Sequence, residues 1–384
     1  MQLNHPPQNS ASSAIALNPN KKRIETIFQS FLSEADKIEY LNRPGIRILG
    51  PNLDRKELEI ALKTGNKTPH NKAVKYLKKE ILALQFKYYC KKIDENPNAI
   101  LVVWNGQKGH RRLFSAAARR KKRRIFFFEE APLPDRIAID PGGVNYGSSL
   151  PKNISFYRQW LNSNHEHAID LTTFQYNLRS RISNNRADIT QNDSNENLKN
   201  KNYIFCPLQA PGDSQLTIFG DWVTSVQEHI AVLLRAAQML PKGWHLRVKE
   251  HPSAKVSFTK TIRKNESEVF RLDNKTDTLQ QVKHSSGVMT VNSSVGLQSF
   301  FFNKPVIVLG QATFGLPEIA TRASNMSAVE SVCSNPDSLT FNYSDRQAFI
   351  SYIIKNCYPL ERCVIEGHIK PSIVLSQPHL QVRD

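Results

Sequence analysis

Apolar residues at Ile24, Ile27, Phe28, Phe31, Ala35 and Ile38 recur at the spacing of one helix face and predict an amphipathic helix over residues 21–41. A short strand, Ile46–Leu49, follows and ends at the Gly50-Pro51 turn. Residues 71–92 read as a second helix, basic on its exposed side. Ile100–Trp104 is an unbroken apolar run that stops at Asn105-Gly106, the signature of a strand entering a turn. A basic helical segment comes next, and strand character resumes at Ile125–Phe128. Strand, helix and strand at this spacing make a βαβ unit, so the sheet is expected to be parallel.

Residues 162–202 change character. They are rich in Asn, Asp, Ser and Arg, sustain no apolar period, and read as a linker with one helix near residues 170–180. Beyond them the alternation is plainer. Strands are predicted at Tyr203–Leu208, His245–Glu250, Val269–Leu272, Val288–Val291 and Val306–Leu309. Helices are predicted at Trp222–Leu240, Thr276–His284, Val295–Phe302 and over residues 344–357. Residues 1–20 place Pro, Asn and Ser around a brief Ala14–Leu17 patch and read as a frayed, disordered arm. The expected division is therefore an arm (1–20), a Rossmann-like domain (21–161), a linker (162–202), a second Rossmann-like domain (203–335), and a helix and tail (336–384). The fold class is α/β. Two such domains facing a cleft would place ligands at the carboxyl ends of their strands.

A chain of 384 residues is comfortable for two domains of ordinary size. Runs such as Ile125–Phe128 and Val306–Leu309 are too short to cross a bilayer, and the first residues lack the pattern of a secretory signal. Five scattered cysteines give neither a disulfide framework nor a zinc pattern, which favours a reducing cytoplasm. Charge changes the picture most. Fifty-two Lys and Arg against 34 Asp and Glu leave a formal charge of +18, which favours a polyanionic neighbour: nucleic acid, an acidic membrane surface or a phosphorylated substrate. Much of this charge crowds Lys108–Arg124, including Arg111, Arg112, Arg119, Arg120, Lys121, Lys122, Arg123 and Arg124. That segment fits docking on anionic lipid, a solvated helix end, or nucleic-acid binding. Recognisable nucleic-acid motifs, such as clustered aromatics in a basic sheet, are missing, so no nucleic-acid partner is expected.

Three motifs carry candidate chemistry. Pro207-Leu208-Gln209-Ala210-Pro211-Gly212-Asp213-Ser214-Gln215 follows a predicted strand and projects the Asp213 carboxylate from an irregular turn; the plainer reading is a turn Asp capping the next segment. Lys249-Glu250-His251-Pro252-Ser253 ends the next strand. There Lys and His can donate to a phosphate, and the carboxylate can orient the imidazole or bind a ribose hydroxyl; an ordinary surface His is the alternative. Thr290-Val291-Asn292-Ser293-Ser294-Val295-Gly296-Leu297 stops a strand and starts a helix, where hydroxyls and free N–H groups suit a phosphate. A simple N-cap would show the same letters.

In this order and spacing the three motifs resemble the capsule polysaccharide biosynthesis and export family. Gly310-Gln311-Ala312-Thr313-Phe314-Gly315 looks like that family's next strand-end loop. Trp104-Asn105-Gly106 and the stretch Phe128-Glu129-Glu130-Ala131-Pro132…Ile139-Asp140-Pro141-Gly142-Gly143-Val144-Asn145 look like its acceptor-side motifs. The resemblance covers residues 100–160 and 203–315. It implies a GT-B-like pair of Rossmann-like domains and a retaining β-Kdo transferase (Kdo being 3-deoxy-manno-octulosonic acid) that uses CMP-β-Kdo to extend a lipid-linked acceptor in capsule assembly. By the same resemblance Asp213 matches a nucleophile that forms a glycosyl ester, and Lys249, His251 and Pro252 bind the CMP phosphate. Asn292, Ser293, Ser294 and Gly296 hold phosphate or the sugar carboxylate, and Glu130 or Asp140 is the base for the acceptor hydroxyl. Glu130 is preferred, although its neighbour Glu129 competes for the cleft-facing place. CMP carries one phosphate, so no metal and no separate cofactor is expected. The implied partners are the donor, the acceptor, the anionic inner face of the membrane and other capsule assembly and export proteins. The rivals are a CMP-sialic acid-dependent transferase and a non-catalytic assembly factor that binds polysaccharide or lipid.

Overall fold

The short apolar runs of the sequence become the strands of two separate sheets. The structure, a computed structural model, describes residues 13–42, 45–65, 71–180, 186–193 and 197–381. The chain divides into two units: the first comprises Met1–Ala131, Asp135–Ser149 and Asn356–Asp384, and the second comprises Pro132–Pro134 and Leu150–Lys355.

In the first unit β1 (Ser13–Leu17), β2 (Lys37–Leu41), β3 (Ile100–Trp104), β4 (Ile125–Glu130) and β5 (Ile137–Asp140) lie in the order β2-β1-β3-β4-β5. All pairs are parallel except β4 with β5. This is a doubly wound order with its switch point between β1 and β3. Both faces of the sheet are covered, which is why its central strands read as unbroken apolar runs. Ile15, Leu101, Val103 and Phe127 pack with Leu82, Phe86, Tyr89 and Phe114 on one face. Ala16, Val102, Phe126 and Phe128 pack with Ile24, Ile27, Phe28 and Phe31 on the other.

Several expectations change here. Residues 13–17 are no arm; they form β1, buried between β2 and β3, while residues 1–12 lie outside the described residues. The first helix is Lys22–Phe31, and Lys37–Leu41 leaves it to pair with β1 as an edge strand. Ala35 and Ile38 continue the helical spacing without being helical. The expected strand Ile46–Leu49 is absent: these residues lie in an exposed loop. Helix Lys72–Asp94, strands β3 and β4, and the basic helix Gly109–Arg120 stand where expected.

In the second unit β6 (Asn202–Pro207), β7 (Trp244–Lys249), β8 (Phe270–Leu272), β9 (Gly287–Thr290), β10 (Val306–Val308) and β11 (Thr321–Arg322) form a wholly parallel sheet. Its order is β11-β10-β9-β6-β7-β8. Counted from β6 this is the 3-2-1-4-5-6 winding of dinucleotide-binding folds, and the winding reverses between β6 and β9. Both halves of the expected pair are thus Rossmann-like. The domain boundaries move, however. Residues 162–202 belong to the second unit and bury Leu171, Leu178, Ile189 and Leu198; their one α-helix among the described residues is the single turn Leu171–Phe174. Helix Tyr343–Tyr352 also belongs to the second unit, whereas residues 356–384 return to the first.

Helix Val226–Ala237 carries a buried histidine, His229, whose Nε2 has no hydrogen-bond partner among the described residues. Burial pushes its pKa down from 6.5 to about 4. The unfolded chain therefore binds the extra proton between those values, and stability is lost as pH falls through that window. The shift corresponds to about 3 kcal/mol by pH 4. His229→Leu should remove this part of the acid limb, so its denaturant midpoint should fall less than that of the parent between pH 7 and pH 4.5. Parallel curves for the two proteins would show that His229 already binds a proton in the fold.

Candidate active site

The switch point of the second unit is held by an amide pair. Gln209, two residues past β6, and Asn292, two residues past β9, are both buried. Gln209 Nε2 donates to Asn292 Oδ1 at 2.8 Å, and the Asn292 N–H donates back to Gln209 Oε1 at 3.4 Å. Asn292 Nδ2 then donates to the carbonyls of Gln215 (2.8 Å), Phe219 (3.0 Å) and Gln311 (3.2 Å). One side chain so ties together the loops that follow β6, β9 and β10. Gly310 lets the third loop come close, since a Cβ there would sit 2.8 Å from both the Phe219 carbonyl and Val291 Cγ1.

Asp213 stands on the first of these loops, half-buried, after Gly212 at φ +75°. Its Oδ1 accepts from the Gln215 N–H at 2.9 Å and caps helix Ser214–Phe219. Its Oδ2 has no partner among the described residues. The capping role is real, and one oxygen remains for chemistry. On the β9 loop, the Ser293 N–H donates to Thr290 Oγ1 at 3.1 Å, and Ser293 Oγ accepts from the Val295 N–H at 3.3 Å. Ser293 is therefore the N-cap. The neighbouring half-buried Ser294 has neither its hydroxyl nor its N–H engaged by any described residue. Gly296 serves packing: a Cβ there would lie 2.9 Å from the Phe314 ring.

The Lys249-Glu250-His251-Pro252 motif divides sharply. Lys249 was expected to donate to a phosphate, but its buried ammonium donates to the Thr190 carbonyl (2.8 Å), Gln191 Oε1 (3.3 Å) and the Thr276 carbonyl. Burial pushes its pKa down to about 8. Glu250 is equally committed. It accepts from the Phe258 N–H and Thr259 Oγ1 (2.5 Å each), and from Arg186 Nη2 and Asn274 Nδ2 (3.0 Å each). Burial alone would raise its pKa, yet these donors hold it below the usual value. It anchors the loop and neither orients the imidazole nor waits for a ribose. His251 is half-buried beside Pro252, and its Nδ1 accepts from the Ser253 N–H at 3.0 Å. The neutral ring therefore carries its proton on Nε2, as a donor. Arg186, Gln191, Thr259 and Asn274 escaped the sequence reading; their only signal was polar residues in stretches that read as loop.

At the switch point of the first unit, Asn105 and Gly106 both have positive φ (65° and 69°), and a Cβ at Gly106 would meet the Phe127 ring at 2.5 Å. The Asn105 N–H donates to the Phe128 carbonyl at 2.7 Å, and Asn105 Nδ2 donates to Glu129. Glu130, on the opposite face of the strand, is paired with Arg23 at 2.6 Å, and Arg23 Nε donates to Glu361 at 2.6 Å. The pair is thus sorted: Glu129 stands at the switch-point turn and Glu130 in an ion-pair cluster. Asp140 is spent on its own loop. It accepts from the N–H groups of Gly142 (2.7 Å), Gly143 (3.1 Å) and Ser149 (3.0 Å), and from Ser149 Oγ (2.6 Å), which is 3.1 Å from His379 Nε2. Four donors leave it little capacity to act as a base. Among the described residues, Cys363, Glu366 and His368 bring their ligand atoms within 4.8 Å of one another at the surface of the first unit.

The family model described as capsule polysaccharide biosynthesis protein matches residues 152–358, nearly the whole of the second unit. Protein FixF of Sinorhizobium fredii is 25% identical over 318 residues, which is 79% of this chain and 70% of that protein. The capsule polysaccharide modification protein LipB of Neisseria meningitidis is 28% identical over 125 residues, 30% of each chain. Among solved structures, the beta Kdo 2,7 transferase KpsC of Thermosulfurimonas dismutans aligns over 93% of this chain and 98% of its own, with 11% identity and a TM-score of 0.46.

Proposed function

The chain belongs to the capsule polysaccharide biosynthesis protein family, and from that premise we propose that it is a retaining glycosyltransferase that takes Kdo from CMP-β-Kdo. The observation that carries the reading is the second unit's switch point, where Asp213 and Ser294 end adjacent strands of a nucleotide-binding winding with polar atoms to spare. The choice of Kdo rests on the motif resemblance. His251 Nε2–H and the Ser294 hydroxyl and N–H are the donors for the single phosphate of CMP, with Ser293 fixing the turn. Asp213 Oδ2 attacks the anomeric carbon, the bond to the phosphate oxygen breaks, and CMP leaves with that electron pair. The acceptor hydroxyl then loses its proton to a base and attacks the same carbon, and the Asp213 carboxylate is released. Two inversions retain the configuration. Glu129 replaces Glu130 and Asp140 as the first unit's candidate for that base. The acceptor is lipid-linked and the protein works on the inner face of the membrane, in contact with other capsule assembly proteins.

CMP should raise the thermal midpoint by roughly 5–10 °C at a hundredfold excess over its Kd, because a ligand bound only to the folded state stabilises by mass action. UMP and AMP should do much less. Incubation with CMP-Kdo or CMP-sialic acid and a lysophosphatidylglycerol mimic, followed by mass analysis, identifies the sugar. Transfer of sialic acid alone would move the donor assignment to that sugar. CMP release from neither donor, with no CMP shift, would leave a non-catalytic assembly factor as the reading.

A further inference from the structure

Helix Lys72–Asp94 buries Leu82, Phe86, Tyr89, Cys90 and Ile93 against its own unit, yet its first turns leave Val74 52%, Tyr76 67% and Leu77 60% exposed. The loop over residues 45–51 lies along the same helix. Its backbone is fastened there by the Arg47 N–H to the Leu84 carbonyl (3.2 Å) and by Lys87 Nζ to the Ile48 carbonyl (3.0 Å). Gly45 lies against the Tyr88 ring so closely that a Cβ would approach it to 2.6 Å. A loop held this firmly nonetheless leaves Ile46 62%, Ile48 77% and Leu49 74% exposed. Leu77 and Leu84 are seven residues apart, two turns of one helix face, so Leu77 and the loop form one ridge with a spacing on the order of 10 Å, which Val74 and Tyr76 flank on opposite sides. Six large apolar side chains left exposed along this helix and its loop are costly in water and call for a covering surface.

The charges beside the ridge indicate what covers it. Lys72, Lys75, Lys78 and Lys79 interleave with Val74, Tyr76 and Leu77, with no carboxylate among them until Glu80, and Arg47, Lys87 and Lys91 border the loop together with Asp94 and Glu95 at its far end. Among these, Lys79 pairs with Glu59, and Lys91 pairs with Glu95. Aliphatic and tyrosine side chains with lysines between them match the boundary between acyl chains and anionic headgroups. No helix among the described residues is long and apolar enough to cross a membrane.

The direction of the helix also matters. Lys121 Nζ meets Asp94 at 2.6 Å, and Arg123 Nη2 donates to the Ala99 carbonyl at 2.7 Å, so the helix ends beside the start of β3. Its first turns therefore lie toward the carboxyl ends of the parallel strands, where the Asn105 turn and Glu129 are. Arg119–Arg124, the segment expected to dock on lipid, lies at the amino end, where Asp94, the partner of Lys121, also lines the groove beside Leu49, Gly50 and Pro51. Part of this segment's charge is also engaged: Arg119 with Glu57, Lys121 with Asp94, and Arg123 with two carbonyls.

We propose that the ridge of Ile46, Ile48, Leu49 and Leu77, flanked by Val74 and Tyr76 and bordered by lysines, inserts into the headgroup boundary of an anionic bilayer and holds this face of the first unit against the membrane. This deepens the proposed function, since it rests on an acceptor held in lipid. The test is co-sedimentation of the full chain with vesicles of phosphatidylcholine containing 30% phosphatidylglycerol, without donor or acceptor. Ile48→Glu combined with Leu77→Glu should weaken binding at least tenfold, while Arg119→Gln with Arg120→Gln and Lys122→Gln should change it less than threefold. Both variants should keep the parent's thermal midpoint, which separates lost docking from lost folding. The CMP shift, measured on the same samples, tests the donor site independently. Unchanged vesicle binding by the ridge variant, or a loss confined to the Arg119 variant, overturns the proposal. So does a parent that ignores these vesicles but forms a dimer that the ridge variant loses, which would assign the ridge to a second copy of the chain.

Discussion

Asp213→Asn should lower transfer from CMP-Kdo by about three orders of magnitude or more while leaving CMP-induced stabilisation nearly unchanged. Asparagine is the informative replacement because the parent carboxylate has two roles. One oxygen caps helix Ser214–Phe219 through the Gln215 N–H, and the Asn carbonyl can accept that bond equally well. The other oxygen is the proposed nucleophile, and an amide cannot form the glycosyl ester. Asp213→Ala would remove both functions and cost about 1 kcal/mol of stability through the lost cap, so its effect on turnover alone would be ambiguous. Near-normal turnover by Asp213→Asn would reduce Asp213 to a turn residue and remove the double displacement. Lost turnover together with a lost CMP shift would instead make Asp213 part of the donor-binding surface.

The second sheet was legible in the sequence because wholly parallel strands are covered on both faces and read as apolar runs that stop at Pro, Gly or small polar residues. Tyr203–Leu208 and Val306–Leu309 are of this kind, and both stand within a residue of the observed strands. Strand β1 was not legible. Ala14-Ile15-Ala16-Leu17 is brief and sits among Asn, Pro and Ser, and its burial comes from β2 and β3 flanking it, which no local pattern reports. Ile46–Leu49 failed in the other direction: its composition is that of a strand, but exposure is decided by tertiary contacts. The polar stretch 186–193 read as linker because its task is polar. Arg186 and Gln191 supply hydrogen bonds to Glu250 and Lys249 at the end of β7. In the site itself, the motifs located the correct strand ends but could not say which letters face inward. Lys249, Glu250 and Asn292 hold the loops in place. Asp213 and Ser294 keep atoms that can meet a ligand.

That division gives Asn292 the largest expected effect on stability. Asn292→Asp would place a carboxylate, nearly isosteric, against the carbonyl oxygens of Gln215, Phe219 and Gln311, where the amide now donates. All three carbonyls lose the amide as a donor, the Phe219 carbonyl keeping the Gln311 N–H (2.8 Å), and the new charge is buried with only Gln209 Nε2 left to donate to it. A buried, poorly compensated charge and unmatched acceptors together should cost about 3–5 kcal/mol, read as a fall in the denaturant midpoint. The loops after β6, β9 and β10 would separate, so CMP binding should weaken as well. Ser294→Ala makes the contrast, since its hydroxyl bonds no described residue: the midpoint should hold within ~0.5 kcal/mol while the CMP-induced shift shrinks. An Asn292→Asp protein as stable as the parent would mean that the amide hub does not hold the three loops. The geometry around Asp213 would then need another support, because no other side chain among the described residues donates to all three loop carbonyls.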